Sequence, residues 1–260
     1  MTVSSNKELF DLTGKTAIVT GGGRGLGEMI AKVYAEAGAN VVVCSRKVEA
    51  CQEVSEELKK MGVGSLAFKC DVSNPDDVNH VVEETLKEFG QIDILVNNSG
   101  ATWGAPFLEM PLDKWQKVMD VNATGTFLFS QAVTAHMKER KQGKIINIAS
   151  VAGLKGGEEG TMDTVGYNAS KGAVISFTRD LGVKLAKYNI QVNAIAPGWF
   201  PTKMSKGLLD QFGEKFIERN PSRRFGEDSD LKGLALFLAT KASDYVVGQT
   251  IVVDGGQTAS

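Results

Sequence analysis

The chain has 260 residues, 42% of them hydrophobic and 23% charged, with a formal net charge of −2. Such a composition supports a substantial core, and the small net charge argues against nucleic acid or a membrane surface as partner. Cys44, Cys51 and Cys70 are odd in number and lack Cys-x-x-Cys spacing, so they read as free thiols and not as a disulfide frame or zinc site; residues 1–11 lack the apolar stretch of a signal peptide, no apolar run nears the roughly 20 residues of a membrane span, and a cytoplasmic location is expected.

In chain order, residues 1–12 read as a loosely held arm. Residues 15–20 form a short β-branched run that enters the cluster Gly21-Gly22-Gly23-Arg24-Gly25-Leu26-Gly27. Met29, Ile30, Val33 and Tyr34 then recur at helical spacing until Gly38. Strands are expected at 40–44, 66–72 and 92–96, separated by helices at 49–61 and 75–90, the second opened by Pro75 and closed by Gly90. The second half keeps the rhythm: helix 112–140, strand 144–149, helix 164–188, strand 191–196, helix 230–240 and strand 250–253. Only 199–225 breaks it. Continuous apolar strands alternating with helices predict a single α/β domain, a doubly wound Rossmann-type parallel sheet of seven strands covered on both faces.

Strand, glycine cluster and helix, in that order, suit a dinucleotide. The glycines let the backbone approach a pyrophosphate, and the helix N-terminus offers free N–H groups to it. The spacing Gly21-x-x-x-Gly25-x-Gly27 departs from Gly-x-Gly-x-x-Gly. About 20 residues beyond, where a carboxylate would hold the 2′-hydroxyl of NAD, stand Ser45, Arg46 and Lys47. An arginine can grip a 2′-phosphate with two donors, and Arg24 adds a second positive charge, so NADP(H) is the expected cofactor. The competing reading makes Arg46 and Lys47 the solvated start of a helix.

Tyr167 and Lys171 lie four apart in a predicted helix, on one face. An ammonium there is expected to lower the tyrosine pKa and make it a usable acid or base at neutral pH. His80 and His136 lie in separate helices with no neighbouring ligand pattern, and no metal site is expected.

Thr20-Gly21-x-x-x-Gly25-x-Gly27, Asn97-Asn98-Ser99-Gly100, Asn122, Ser150, Tyr167-x-x-x-Lys171 and Pro197-Gly198 occur in one order across residues 10–256. Together they resemble the short-chain dehydrogenase/reductase family. The resemblance implies an NADP-dependent enzyme acting on a small carbonyl or alcohol, and a homotetramer built partly from the helices at 112–140 and 164–188. It implies that Asp71 and Val72 meet the adenine, and that Asn98, Ser99 (where the family usually has alanine) and Gly100 lie beneath the adenosine ribose. Ser150 would hydrogen-bond the substrate carbonyl, Tyr167 would be the acid/base, and Lys171 would hold the nicotinamide ribose. Asn122 would position a water in the proton relay, and Pro197, Gly198 and Thr202 would flank the nicotinamide. The chemistry agrees: hydride arriving at a carbonyl carbon builds charge on oxygen, which a serine hydroxyl stabilises and a tyrosine protonates.

Ser150 and Tyr167 lie 17 positions apart, several more than the family's usual spacing. The extra residues fall in the glycine-rich, acidic segment 155–163, either a plain surface insertion or a loop that meets substrate or a neighbouring subunit. The apolar spacing of segment 199–225 is helical and would serve simply to cover the core; the functional reading is a substrate lid. It mixes Phe200, Met204, Leu208, Leu209, Phe212 and Phe216 with Lys203, Lys206, Arg219, Arg223 and Arg224, which suits an apolar chain with an acidic head group. Residues 102–105, Trp115 and 197–201 resemble 3-oxoacyl reductases, including a type associated with rhamnolipid synthesis; residues 129–133 and 189–193 resemble gluconate 5-dehydrogenases. The first substrate class is preferred, and Lys141 and Lys144 beside Arg140 would offer an acidic acyl carrier a docking patch. A non-catalytic NADP(H)-binding sensor is the reading from another class.

Overall fold

In the computed structural model, which describes residues 5–203 and 205–260, the strands form where β-branched residues run unbroken. β1 (Thr16–Thr20) is buried at every position, and β2 (Asn40–Ser45) along its centre. β3 (Ser65–Lys69), β4 (Ile94–Asn97), β5 (Gly143–Ile148), β6 (Ile190–Pro197) and β7 (Thr250–Val253) complete one sheet in the order β3-β2-β1-β4-β5-β6-β7. Every pairing is parallel. This is the doubly wound topology expected, with its switch point between β1 and β4, where crossovers leave to opposite faces and a crevice opens at the strand C-termini.

Alternation along the strands sorts side chains into two cores. Val19, Val41 and Val43 pack with α2 (Gly25–Glu36), α3 (Val48–Lys60) and α9 (Asp228–Ala239). Ile18, Val42 and Leu95 face α4 (Pro75–Phe89) and α6 (Gly125–Arg140). α7 (Val165–Ala186) lies on β5 and β6 through Val174 and Ile175, against Ala149, Ala194 and Ala196. α4 begins as its sequence dictates, with Asn74 accepting from the N–H groups of Asp76 and Asp77 and proline in the first turn. No described helix is long and apolar enough to cross a membrane.

Several expectations need correction. Residues 1–4 of the N-terminal arm lie outside the described residues; beyond them Ser5 caps a short exposed helix, α1 (Asn6–Leu9), in a capping box, and the arm is anchored at Leu12, which is buried with its N–H on the Ala37 carbonyl. The third strand stops at Lys69, because the Asp71 N–H turns to Asp77 and the Asp71 carboxylate to Ser73. The helical stretch 112–140 is α5 (Leu112–Met119) and α6 joined by a π turn, Asp120–Thr124. Within 199–225 the rhythm does not break throughout: its helical apolar spacing is realised as α8 (Lys206–Arg219), while Met204 lies outside the described residues. Lys144 offers no docking surface. It is buried, and its ammonium donates to Asp244 at 2.7 Å and to the Ser243 hydroxyl.

Candidate active site

The residues singled out in the sequence gather at the C-terminal edge of the sheet. The turn after β1 carries Gly21 and Arg24, and Gly25, Leu26 and Gly27 open α2. Ser45 and Arg46 follow β2, Asp71 and Val72 follow β3, Asn98 to Gly100 follow β4, Ser150 follows β5, and Pro197, Gly198 and Thr202 end and follow β6.

The glycine turn is locked to the end of β4. The Thr20 hydroxyl accepts the N–H groups of Asn98 and Ser99, both at 3.0 Å, and the Asn98 amide donates to the carbonyls of Thr20 and Gly21 at 2.9 and 3.2 Å. Gly21 has φ +65°, in the left-handed region. A Cβ at Gly27 would stand 2.4 Å from both the Asn98 amide nitrogen and the Gly21 carbonyl oxygen. Arg24 enters α2 extended and supplies no side-chain cap, which leaves the first-turn N–H groups to an anion. The Thr202 methyl lies 3.4 Å from where a Gly25 Cβ would sit, so the segment after β6 closes over the loop. These features fit a dinucleotide pyrophosphate.

Beyond β2, Arg46 is exposed, and neither it nor Arg24 has an ion-pair partner among the described residues. The Ser45 hydroxyl donates to the Lys47 carbonyl and accepts from the Cys51 thiol, shaping the turn beneath Arg46. Burial raises the Asp71 carboxyl pKa, but hydrogen bonds from Ser73 and the nearby Arg46 and Lys117 outweigh it and hold the pKa below its ordinary value. No carboxylate occupies 41–48.

At the centre, the Ser150 hydroxyl accepts the Ala152 N–H at 3.1 Å and faces the Tyr167 phenol. Tyr167 is half-buried in the first turn of α7, and Lys171, one turn on, is buried. The Lys171 ammonium donates to the Ile148 carbonyl at 2.6 Å and lies 5.6 Å from the Tyr167 ring centroid. The expected depression of the tyrosine pKa is not found. Burial pushes the phenol up, with the Ser150 hydrogen bond opposing, while burial pulls the Lys171 ammonium down to about 8. The physical reason is burial, which penalises the phenolate and the ammonium alike, and the ammonium itself is directed at the Ile148 carbonyl. A phenol held protonated is a proton donor at neutral pH, which suits reduction of a carbonyl.

Asn122 sits in the π turn, a helical defect common at functional sites. Its Oδ1 accepts the Ala101 N–H at 2.7 Å, and its Nδ2 donates to the Ala101 carbonyl and the Ser170 hydroxyl. Ser170 in turn donates to the Tyr167 carbonyl. The side chain thus clamps the loop after β4 to the tyrosine helix. Thr20, Ser170 and the buried set Asn97, Ser130, Asn147 and Thr178 carry structural roles that their local sequence does not announce. Only Asn97 and Asn147, polar residues in otherwise apolar strands, give a signal.

The 155–163 loop packs as a rim. The Asp163 carbonyl accepts the Ala105 N–H, the Lys155 carbonyl accepts from Asn168, and the Lys155 ammonium reaches the Gln257 carbonyl. Across from it, Trp199 stacks on Phe216 of α8, with centroids 4.3 Å apart and planes at 9°.

A seven-stranded doubly wound sheet, a glycine turn tied to β4 and a Ser–Tyr–Lys set at the strand ends define a nucleotide-dependent oxidoreductase, and the chain belongs to the short-chain dehydrogenase/reductase family. Residues 21–258 match the family model described as enoyl-(acyl carrier protein) reductase. The chain is 42% identical over 252 residues to the 5-keto-D-gluconate 5-reductase of Escherichia coli K12, covering 96% of this chain and 97% of that one. It is 38% identical over 243 residues to the 3-oxoacyl-[acyl-carrier-protein] reductase FabG of Staphylococcus epidermidis, covering 93% and 98%. The gluconate 5-dehydrogenase of Burkholderia cenocepacia, solved with NADP and tartrate, superposes with a TM-score of 0.92 at 38% identity, covering 98% of this chain and 100% of that one.

Proposed function

We propose that the protein is an NADPH-dependent ketone reductase whose substrate is a 3-oxoacyl thioester. The observation that carries the reductase reading is the Tyr167 phenol, kept protonated and facing the Ser150 hydroxyl one helical turn from Lys171. When bound, NADP(H) supplies or takes up the hydride. The first turn of α2 and Gly21, Gly25, Leu26 and Gly27 would hold its pyrophosphate, and Arg46 with Arg24 and Ser45 would hold the 2′-phosphate. Asp71, Val72 and the Asn98–Ser99–Gly100 turn would take the adenosine, and Pro197, Gly198 and Thr202 the nicotinamide. Ser150 donates a hydrogen bond to the substrate oxygen, and Tyr167 gives it a proton. Lys171 holds the nicotinamide ribose, and its charge then stabilises the phenolate left behind. Asn122 fixes the tyrosine helix through Ser170. Its side-chain N–H groups are both committed, so a relay water would donate to one of its oxygens, Oδ1 or the main-chain carbonyl, which also accept from Ala101 and Thr126.

Segment 199–225 acts as the lid. The Trp199–Phe216 stack, with Phe212 beside it, gives this wall an aromatic lining that suits an alkyl chain. The second reading, a 5-ketogluconate reductase, is favoured by the 42% identity to that enzyme. Steady-state rates at saturating NADPH separate them: kcat/KM for acetoacetyl thioesters is expected to exceed that for 5-keto-D-gluconate by at least about tenfold, a difference of roughly 1.4 kcal/mol in transition-state binding. The reverse order assigns the sugar acid. Tight NADPH binding without turnover of any carbonyl would assign a sensor.

Arg46→Asp is expected to raise KM for NADPH by about 10–100-fold, because it replaces a charge-assisted grip with repulsion, and to leave KM for NADH within about twofold. Equal effects on both cofactors would remove the 2′-phosphate assignment. A cytoplasmic location and a homotetramer complete the reading, the assembly supported by exposed Phe107 and Leu108 in the turn before α5, Leu112 at its start and Phe127 on α6. Light scattering that returned a monomer mass would overturn the assembly.

A further inference from the structure

One face of α8 is divided. Phe216 stacks on Trp199 with Phe212 beside it, and Lys215 and Arg219, one helical turn apart, reach the opposite loop. There both cations converge on a single carboxylate. Glu158 accepts from Arg219 at 2.7 Å and from Lys215 at 3.4 Å, across 61 and 57 residues of sequence. Glu158 is carried by the insertion between Ser150 and Tyr167. The backbone aims it: the Glu158 carbonyl accepts the N–H groups of Thr161 and Met162, and Asp163 accepts the Gly160 N–H, so 158–163 is a self-bonded turn. The cations therefore pair with the segment that runs from Ser150 into the Tyr167 helix, and the helix that carries them packs through Phe216 on Trp199, which follows Gly198.

Two features make this more than a surface ion pair. Segment 199–225 carries six cations and three carboxylates in a chain whose net charge is −2, so positive charge is concentrated on one wall. Two cations share one carboxylate, which leaves the cluster short of an anion. The pair is also weak: Glu158 and Arg219 are 59% and 58% exposed, and exposed pairs of this kind contribute little. An incoming anion can displace Glu158 at small cost.

We infer that Lys215 and Arg219 form the subsite for an anionic group of the substrate, and that Glu158 is its built-in competitor, holding the cations in place until substrate replaces it. This rests on the ketone-reductase reading above. The ligand chemistry is a carboxylate or phosphate oxygen beyond the reach of the reacting carbonyl: the carboxylate of a sugar acid, or the phosphates of an acyl carrier. Glu158 is a positioning residue here, since it touches neither the ketone nor the cofactor.

The experiment uses three ketones with the full chain and NADPH: 5-keto-D-gluconate, acetoacetyl-CoA and the neutral acetoacetyl-N-acetylcysteamine. In Lys215→Gln/Arg219→Gln, KM for the anionic substrate is expected to rise about tenfold, the size of one lost charge-assisted hydrogen bond at a wet rim, with KM for the neutral thioester unchanged. Glu158→Gln is expected to do the opposite, lowering the anionic KM by about two- to fivefold. A shift in the 5-ketogluconate KM identifies a carboxylate, and one in the CoA ester identifies phosphate. Equal shifts for charged and neutral ketones, or none, would overturn the subsite. Calorimetric binding of gluconate and of CoA is measured in parallel. Should no ketone be reduced, the reductase reading fails alone, and binding that is lost in the double variant still supports the subsite. Binding that is absent in the parent, or equal in both, overturns it.

Discussion

Tyr167→Phe lowers kcat for ketone reduction by roughly 10²–10⁴-fold, the contribution of a positioned general acid, and leaves the Kd for NADPH within about threefold of the parent. The substitution removes one hydroxyl. The ring, half-buried at the start of α7, keeps its packing, and Lys171 keeps its bond to the Ile148 carbonyl. What disappears is the proton that meets the new alkoxide. Ser150 cannot replace it, because a serine hydroxyl stabilises charge on oxygen but holds its own proton too tightly to surrender it at neutral pH. Stopped-flow absorbance at 340 nm reads the hydride step, and quenching of tryptophan fluorescence reads cofactor binding. Turnover equal to that of the parent would remove Tyr167 from the chemistry. Loss of NADPH binding would instead mean that the hydroxyl supports the cofactor.

How far this site is legible in sequence depends on the range of each interaction. The strands are legible because β1 and β2 are continuous β-branched runs buried on both faces, and that pattern is local. The order of Gly21, Asn98, Ser150, Tyr167 and Lys171 is legible because these residues follow strand ends, or open the helix beyond one, in a fixed topology. Interactions that join distant segments leave no trace. The π turn at Asp120–Thr124 does not interrupt the helical spacing of 112–140, so the clamp from Asn122 to Ala101 and Ser170 cannot be seen there. Lys144 looks like one more surface cation beside Arg140, and only the approach of Asp244, 100 residues on, permits its burial. The pairing of Glu158 with α8 is of the same kind. The sign of the Tyr167 shift is hidden for a related reason. A spacing of four places the lysine on the right face but does not show that burial sets the pKa of both side chains.

Gly27→Ala is expected to damage both the fold and cofactor binding, and the contacts say why. The added methyl would lie 2.4 Å from the Asn98 amide nitrogen and 2.4 Å from the Gly21 carbonyl oxygen. Neither neighbour is a free side-chain end: one is backbone, and the other is held by hydrogen bonds to Thr20 and Gly21. Making room separates the glycine turn from the end of β4, at the switch point of the sheet. Overpacking of this kind costs about 1–3 kcal/mol, equivalent to a fall in Tm of roughly 2–6 °C for a chain of this size. The same displacement moves the α2 N–H groups away from the pyrophosphate, and the Kd for NADPH is expected to rise at least about tenfold. Gly233→Ala is the control: it lies inside α9, where an added Cβ would meet nothing within 4 Å, and replacing glycine in an exposed helix adds up to about 1 kcal/mol of stability. Thermal melts of the three proteins with and without NADPH separate the two effects, because a bound ligand raises Tm further the tighter it binds. If Gly27→Ala melted with the parent and gained the same increment from NADPH, the tie between the glycine turn and Asn98 would not be what holds the cofactor site.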